Sequence, residues 1–413
     1  VLLFVALDLR TPLPPSQGIG LTVSRRVSET RTLMGDLVLV ELTLENHGTR
    51  IENALLRDTP PTSPTRATAV LYPGTPVAVP PAKVTKGSTS LLCGIDEGGS
   101  VTLRYEVQFG EPGEFRFGSC AVRLQSMFGL AERALILPAP LTIRVYPRRS
   151  VKRLDTGPAK ALGWSGVTPS RYRGGRLDFM NIRAYVSGDP LKEVNWRASG
   201  RLGRMLVNEW RIERGLDCVV IVDLSLGSLP KVGEWSGRGE VVTSAYELMC
   251  ALVDSGNRVG MLVMGSYLDK VKPGFGSRQL RAMVELLVDS REGNVWNMKY
   301  AEHFLELFFR KQYSRRRGTL FFVFARPSVE LLESVSSLSR KGFVCNSVLV
   351  DALGGEGRAL TELKVLNQRE VEFGLRFARA EEDSFKAMLS AVSDVYVWTA
   401  GSGFAEAGRK TRR

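Results

Sequence analysis

Along residues 18–147 apolar side chains return at every second position. Val38, Val40, Leu42 and Leu44 alternate with Leu39, Glu41, Thr43 and Glu45. Val101, Leu103, Tyr105, Val107 and Phe109 alternate with Thr102, Arg104, Glu106 and Gln108, and Leu141, Ile143 and Val145 repeat the pattern. Neighbouring side chains on a strand point to opposite faces, so this period marks strands with one face buried. Turn formers at 110–113 and a proline-rich run at 59–81 separate the strands. Several short strands at this spacing predict an all-β sandwich of immunoglobulin-like size.

From about residue 216 the period changes. Residues 216–224 are a continuous apolar run, as expected of a strand covered on both faces. The following helix carries Val241, Ala245, Leu248, Met249 and Leu252 on one face and stops at Gly256. Strands are predicted at 258–265, 319–325, 343–351 and 395–399. Helices are predicted at 277–290, 299–311, 328–342 and 384–394. Alternation of strand and helix over 216–400 implies an α/β, Rossmann-like domain with a mostly parallel sheet. The rest divides by texture. Residues 148–183 are basic and glycine-rich and are expected to be a connector with little regular structure. Residues 184–215 follow neither period and form a collar between the two domains, and 401–413 make a basic tail.

Composition narrows the chemistry. Hydrophobic residues at 44% support a sizeable core and exclude wholesale disorder. A net charge of +13 favours acidic partners, whether anionic lipid, nucleic acid or an acidic protein face. With only His47 and His303 in the chain, histidine-based triads and metal sites have little to draw on. Cys93, Cys120, Cys218, Cys250 and Cys345 form no CxxC pair, which argues against structural zinc. Cys218, Cys250 and Cys345 lie in apolar runs, as buried thiols do in a reducing compartment. Residues 1–17 read as the end of a truncated membrane helix and its linker, with Arg10, Arg25, Arg26 and Arg31 as a cytoplasmic flank. That reading places the protein at the cell membrane with its soluble domains on the cytoplasmic side.

Two stretches carry candidate chemistry. In an open α/β sheet ligands bind beyond the carboxyl ends of the strands. The first such end reads Asp223-Leu224-Ser225-Leu226-Gly227-Ser228. A carboxylate and two hydroxyls offer hard oxygens to Mg²⁺. The loop resembles the metal site of von Willebrand factor A domains, with Gly227 where the second serine belongs and Ser228 one residue late. The matching end of a later strand holds Ala325 and Arg326 in place of a distal aspartate. A guanidinium there is expected to compete with a cation, so the loop reads as degenerate and no cofactor is expected. The second stretch runs from Ala184 to Trp210. Asp189 and Glu209 stand among Arg197, Arg201 and Arg204, which suggests carboxylate–guanidinium pairing that holds an irregular segment in place, with Trp196 as its apolar anchor. The other reading is a docking surface, since tryptophan and arginine are enriched in binding hot spots.

The spacing of Tyr185, Gly188, Asp189, Asn195, Trp196, Arg197, Ser199, Arg201, Gly203, Val207, Glu209 and Glu213, followed by a strand ending Asp-x-Ser, resembles the DUF58 family. Upstream, Phe128, Gly129 and Leu130 match that family's β-domain ending, with Ser126 and Met127 in place of Asp-Pro, and Lys192 stands where arginine is common. The resemblance implies a prokaryotic, membrane-tethered protein with a von Willebrand A-like domain, encoded beside MoxR-type AAA+ ATPases and transglutaminase-like membrane proteins. It implies a non-enzymatic adaptor or assembly role with such an ATPase and neighbouring membrane proteins as partners. Two alternatives stay open. One is a metal-dependent hydrolase, although the chain has no P-loop, no Gly-x-Ser-x-Gly elbow and a turn at Gly354–Gly357 that no Lys-Ser/Thr follows. The other is a nucleic-acid binder, or an anionic-membrane contact, built on basic runs at 171–176 and around Arg315, Arg316 and Arg317.

Overall fold

A computed structural model of the chain describes residues 20–61, 82–126, 131–149, 168–170, 177–187, 189, 191–214, 217–232, 235–293, 302–303, 318–362, 367–400 and 402–408. The first eleven strands are β1 (Leu21–Val27), β2 (Arg31–Leu33), β3 (Leu37–Asn46), β4 (Ile51–Arg57), β5 (Ala82–Gly87), β6 (Ser90–Ile95), β7 (Ser100–Phe109), β8 (Gly113–Phe117), β9 (Cys120–Gln125), β10 (Glu132–Leu137) and β11 (Leu141–Tyr146). They form sheets in the orders β1-β3-β7-β5, β10-β9-β4-β6 and β2-β11-β8. The period of two is realised side chain by side chain. Val38, Val40, Leu42 and Leu44 of β3 and Leu103, Tyr105, Val107 and Phe109 of β7 are buried in one core with Phe115, Val122 and Ile143.

Inside this β-rich core lies a charged group that the alternation did not foretell. Arg25, expected in a membrane flank, is buried on β1 and pairs with Asp58 at 2.6 Å. Its guanidinium also donates to the carbonyls of Gly118 and Ala139, and the Tyr105 hydroxyl donates to Asp58 at 2.6 Å. Burial and the Asp58 carboxylate push the Tyr105 phenol far above its ordinary range, so it stays a donor. A buried pair persists only when its remaining donors and acceptors are filled, and here they are. Arg31 also leaves the expected flank, standing 3.6 Å from Glu285 of the following domain.

The expected connector includes regular structure among its described residues. It contains β12 (Thr168–Ser170) and β13 (Leu177–Ala184), which join β14 (Leu206–Arg214) in a three-stranded sheet of order β12-β14-β13. Backbone pairing to β14 overrides the weak local signal. The α/β part is a seven-stranded sheet. Its central strands β15 (Asp217–Asp223), β18 (Arg258–Met264), β20 (Thr319–Phe324), β21 (Val344–Val350) and β22 (Asp394–Thr399) are parallel. Antiparallel strands β19 (Leu268–Gly274) and β23 (Gly403–Gly408) close the two edges. The tail therefore opens with a strand, and a small hairpin, β16 (Lys231–Val232) with β17 (Trp235–Ser236), follows the loop after β15.

Helices with described bounds are α1 (Trp196–Leu202), α2 (Arg238–Asp254), α3 (Gly276–Asp289), α4 (Val329–Arg340), α5 (Leu353–Glu362) and α6 (Gln368–Ser390). Alternate residues of the buried strands serve the two faces of the sheet. Val220, Val222, Phe321 and Val323 pack with Leu248 and Met249 of α2 and Met283 and Leu287 of α3. Ile221, Phe322 and Phe324 pack with Leu331, Val335 and Leu338 of α4 and Leu389 of α6. The expected turn at Gly354–Gly357 is the first turn and a half of α5. A Cβ on Gly357 would lie 2.8 Å from the Leu375 side chain, so a small residue there lets α5 approach α6. The helix expected at 384–394 begins earlier, at Gln368, behind an Asn367/Glu370 capping box. The helix expected at 299–311 lies outside the described residues except at 302–303, and residues 1–17 lie wholly outside them.

The sandwich is latched to the α/β part by charge. Arg144 and Tyr146 of β11 reach Glu285 of α3 at 3.2 and 3.0 Å, and Arg149 reaches Asp254 of α2 at 2.6 Å. Arg238, buried at the start of α2, donates to the carbonyls of Pro112 and Ser290 and stands 3.5 Å from Glu111. Gly239 keeps this approach open, since a Cβ there would meet the Glu111 side chain at 2.9 Å.

Candidate functional site

The collar is an excursion between two paired strands. β13 and β14 run antiparallel with Arg183 opposite Val207 and Ala184 opposite Leu206. Between them the chain makes a 3₁₀ turn (Leu191–Glu193), then α1. Asn195 starts the helix. Its side-chain oxygen accepts from the Ala198 amide at 3.0 Å, and its amide nitrogen donates to Asn208 on β14 at 2.9 Å. The Ser199 hydroxyl accepts from the Leu206 amide at 2.9 Å, tying the middle of α1 to the same strand. Gly203 ends the helix with φ at +63°, where a Cβ would be strained. Val194, Leu206 and Val207 are buried beneath it.

Asp189 takes a partner other than the expected ones. Arg183 of β13 grips both carboxylate oxygens at 2.7 and 2.8 Å, and the Val186 amide adds a third bond at 3.0 Å. These bonds hold the Asp189 carboxyl at a pKa of about 2. Arg183 sat in the supposed connector, and only the β13–β14 register brings it to the collar. Arg197, Arg201 and Arg204 are exposed and make no ion pair among the described residues. Trp196 is likewise no anchor, being 66% exposed. Leu202, Leu191, Val186 and Met205 of the collar are exposed as well. Asn195, Arg197, Ala198, Arg201 and Leu202 line an open concavity of about 640 Å³. Tyr185 is half-buried, with its amide bonded to the Met205 carbonyl at 3.0 Å. Glu209 and Glu213 stand in β14 opposite Asn181 and Pro169 in register. Gly188 and the side chains of Lys192, Glu209 and Glu213 lie outside the described residues, as do Met127, Phe128, Gly129, Leu130, Arg315, Arg316, Arg317 and the run 171–176.

The loop after β15 does bring its expected oxygens together. Asp223 is buried, accepts from the Ser225 amide at 2.9 Å and is hydrogen-bonded by the Ser225 and Ser228 side chains. Burial pushes its carboxyl above the ordinary range despite those bonds. Arg326 does not reach this carboxylate. Its guanidinium grips Glu356 at 2.7 and 2.9 Å, while its backbone bonds Ser228. The expected competition with a cation is therefore absent, yet the donor set remains one carboxylate short for Mg²⁺. Among the described residues no three His, Cys, Asp or Glu side chains are placed to hold a metal. Met264 and Gly293 fix the loop instead, through backbone bonds to and from Leu224. All five cysteines are free thiols, and no described helix is long and apolar enough to cross a membrane.

Comparison with known proteins finds a family match over part of the chain. The model of the family described as "Protein of unknown function DUF58" matches residues 181–327, from the end of β13 through the collar to the loop after β20. No curated protein matches the chain. Among solved structures, an aerotolerance-related membrane protein from Bacteroides fragilis is 19% identical, with 33% of this chain and 67% of that one covered and a TM-score of 0.25. The conserved hypothetical protein BatB from Bacteroides thetaiotaomicron is 18% identical over the same shares, with a TM-score of 0.24. The CARDB domain of a Pyrococcus furiosus protein is 9% identical, with 32% of this chain and 97% of that one covered and a TM-score of 0.20. Likeness at that level bears on no activity.

Proposed function

Because residues 181–327 carry the DUF58 pattern, we propose that the chain is a non-enzymatic, membrane-tethered assembly protein whose collar docks a MoxR-type AAA+ ATPase. One observation carries this reading: the family's spacing includes two kinds of residue with different fates. Asp189, Asn195, Ser199 and Gly203 are consumed in building the collar. Trp196, Arg197 and Arg201 belong to the same pattern but contribute nothing visible to its construction and face solvent. A large aromatic beside guanidinium groups on a fixed scaffold has the composition of a binding hot spot. The tether, the cytoplasmic side and the ATPase come from the family resemblance. The metal-dependent alternative draws no support from the loop after β15, whose donor set falls short.

The test is capture of the ATPase from solubilised membranes by the full-length protein, with Trp196→Ala/Arg201→Ala as the comparison. Removing an exposed hot-spot pair is expected to cost about 2–4 kcal/mol of binding, a loss of at least thirty-fold. Melting of the variant should match wild type, since neither side chain holds the collar. Equal capture by both proteins would end the docking reading.

A further inference from the structure

The concavity on the collar is lined by two kinds of side chain. Helix α1 contributes the cationic pair Arg197 and Arg201 and the aliphatic pair Ala198 and Leu202. At about 100° and about 1.5 Å per residue, the members of each pair are one turn apart, roughly 6 Å along the axis. The two pairs lie next to each other round the helix. Asn195, the remaining lining residue, is already engaged with the Ala198 amide and with Asn208. Polar recognition in the concavity therefore falls to the two guanidinium groups. Its apolar contact falls to Ala198 and the exposed Leu202.

The charge on this surface is not neutralised by its surroundings. Arg197, Arg201 and Arg204 are exposed and form no ion pair among the described residues. The Asp189 carboxylate is taken up by Arg183 and the Val186 amide. Glu193 is half-buried and pairs with none of the three arginines. Residues 196–205 thus combine three positive charges with exposed Trp196, Leu202 and Met205.

This combination selects among anionic partners. A guanidinium fork meets a carboxylate through paired N–H bonds. Two carboxylates four residues apart on a helix, or two apart on a strand, have a matching rise of about 6–7 Å. An aliphatic residue beside them then meets Ala198 and Leu202. A bilayer is flat and brings no such segment into a concavity of about 640 Å³. Stacked bases gain no platform, because among the described residues no aromatic side chain lines it. The chain's own basic runs at 171–176 and 310–317 carry the wrong charge for it.

We infer that the collar concavity receives an acidic segment of the partner protein. Two of its carboxylates pair with Arg197 and Arg201, and a neighbouring aliphatic side chain covers Ala198 and Leu202. The inference rests on the collar being a docking surface and adds what kind of segment docks there. It does not require the partner to be an ATPase.

A photocrosslinking amino acid at Leu202 of the full-length protein in cells, with mass-spectrometric sequencing of the crosslinked peptide, tests this. The expected adduct is a protein segment with a pair of Asp or Glu residues at helical or strand spacing beside the crosslinked residue. Arg197→Glu/Arg201→Glu should lower its yield about ten-fold or more, and replacing the segment's acidic pair by lysine should restore the yield in that variant. Both arginines face solvent, and matched melting curves establish that the variant folds. The crosslinked segment itself is read without the charge reversal, so its identity stands whatever the variant does. A neutral or basic segment, a lipid or nucleic-acid adduct, or no adduct at position 202 overturns the inference. A yield unchanged by charge reversal overturns it as well. An acidic segment from a protein other than a MoxR-type ATPase upholds the inference and removes the ATPase from the functional reading. A neutral segment of that ATPase does the reverse.

Discussion

At the scale of single residues, the decisive quantity is who neutralises each charge. Asp189 is held near a pKa of about 2 by Arg183. A carboxyl lowered in this way contributes stability above the unfolded aspartate value of about 3.9 and loses it as pH falls toward 2. Arg183→Ala should therefore move the Asp189 midpoint up into the ordinary range, which a carbon-detected NMR titration reads directly. An unchanged midpoint would mean that the Val186 amide, not the guanidinium, sets it. Removing Asp58 from beneath Arg25 is a harsher change. It leaves a buried guanidinium without its carboxylate, and Asp58→Ala should cost about 3–5 kcal/mol in denaturant unfolding. Asp223→Asn, by contrast, keeps an oxygen to accept from the Ser225 amide and should leave ATPase capture unchanged with or without EDTA. A capture that needs both Asp223 and a divalent ion would restore the metal reading.

These same residues mark how far sequence reaches. That Asp189 pairs with an arginine followed from composition, but its partner was set by the β13–β14 register, which no local pattern encodes. Trp196 was readable as either anchor or docking residue, and its exposure removes the first reading. Arg25 looked like one more flank charge because its partner Asp58 lies 33 residues away, on the far side of a strand pair.

At the scale of elements, periodicity served well where a face is buried and poorly where pairing or packing decides. β3 and β7 were legible because alternation follows directly from one-sided burial. β13 was not, since its order comes from hydrogen bonds to β14. The edge strands β19 and β23 were missed, being half-exposed and carrying Lys270 and Lys272 or glycine and alanine, and α5 was hidden by its glycines, of which Gly357 serves the contact with α6. Helix α6 also carries a testable charge. Burial, with Asp351 and Asp383 nearby and against Lys386 and Arg379, raises the Glu382 carboxyl to about 7. A raised acid is neutral in the fold while the unfolded chain ionises, so stability falls as pH rises from about 4.3 to about 7. Glu382→Gln should be more stable than wild type by roughly 2 kcal/mol above pH 7, with the gain fading toward pH 4. Parallel melting curves across that range check it, and a gain independent of pH would refute the assignment.

At the scale of the whole molecule, the sandwich and the α/β part are joined by polar contacts through β11, α2 and α3 and by buried Arg238. The collar is built on a separate small sheet, β12-β14-β13. The central claim is that the collar's exposed face meets a specific partner. Its most direct test is a photocrosslinking amino acid placed at Trp196 in the full-length protein in cells, with the still more exposed Ile136 of the sandwich as control. The account predicts a discrete adduct with the MoxR-type ATPase from position 196 and none from 136. The same adducts from both positions, or no ATPase adduct from 196, would contradict it.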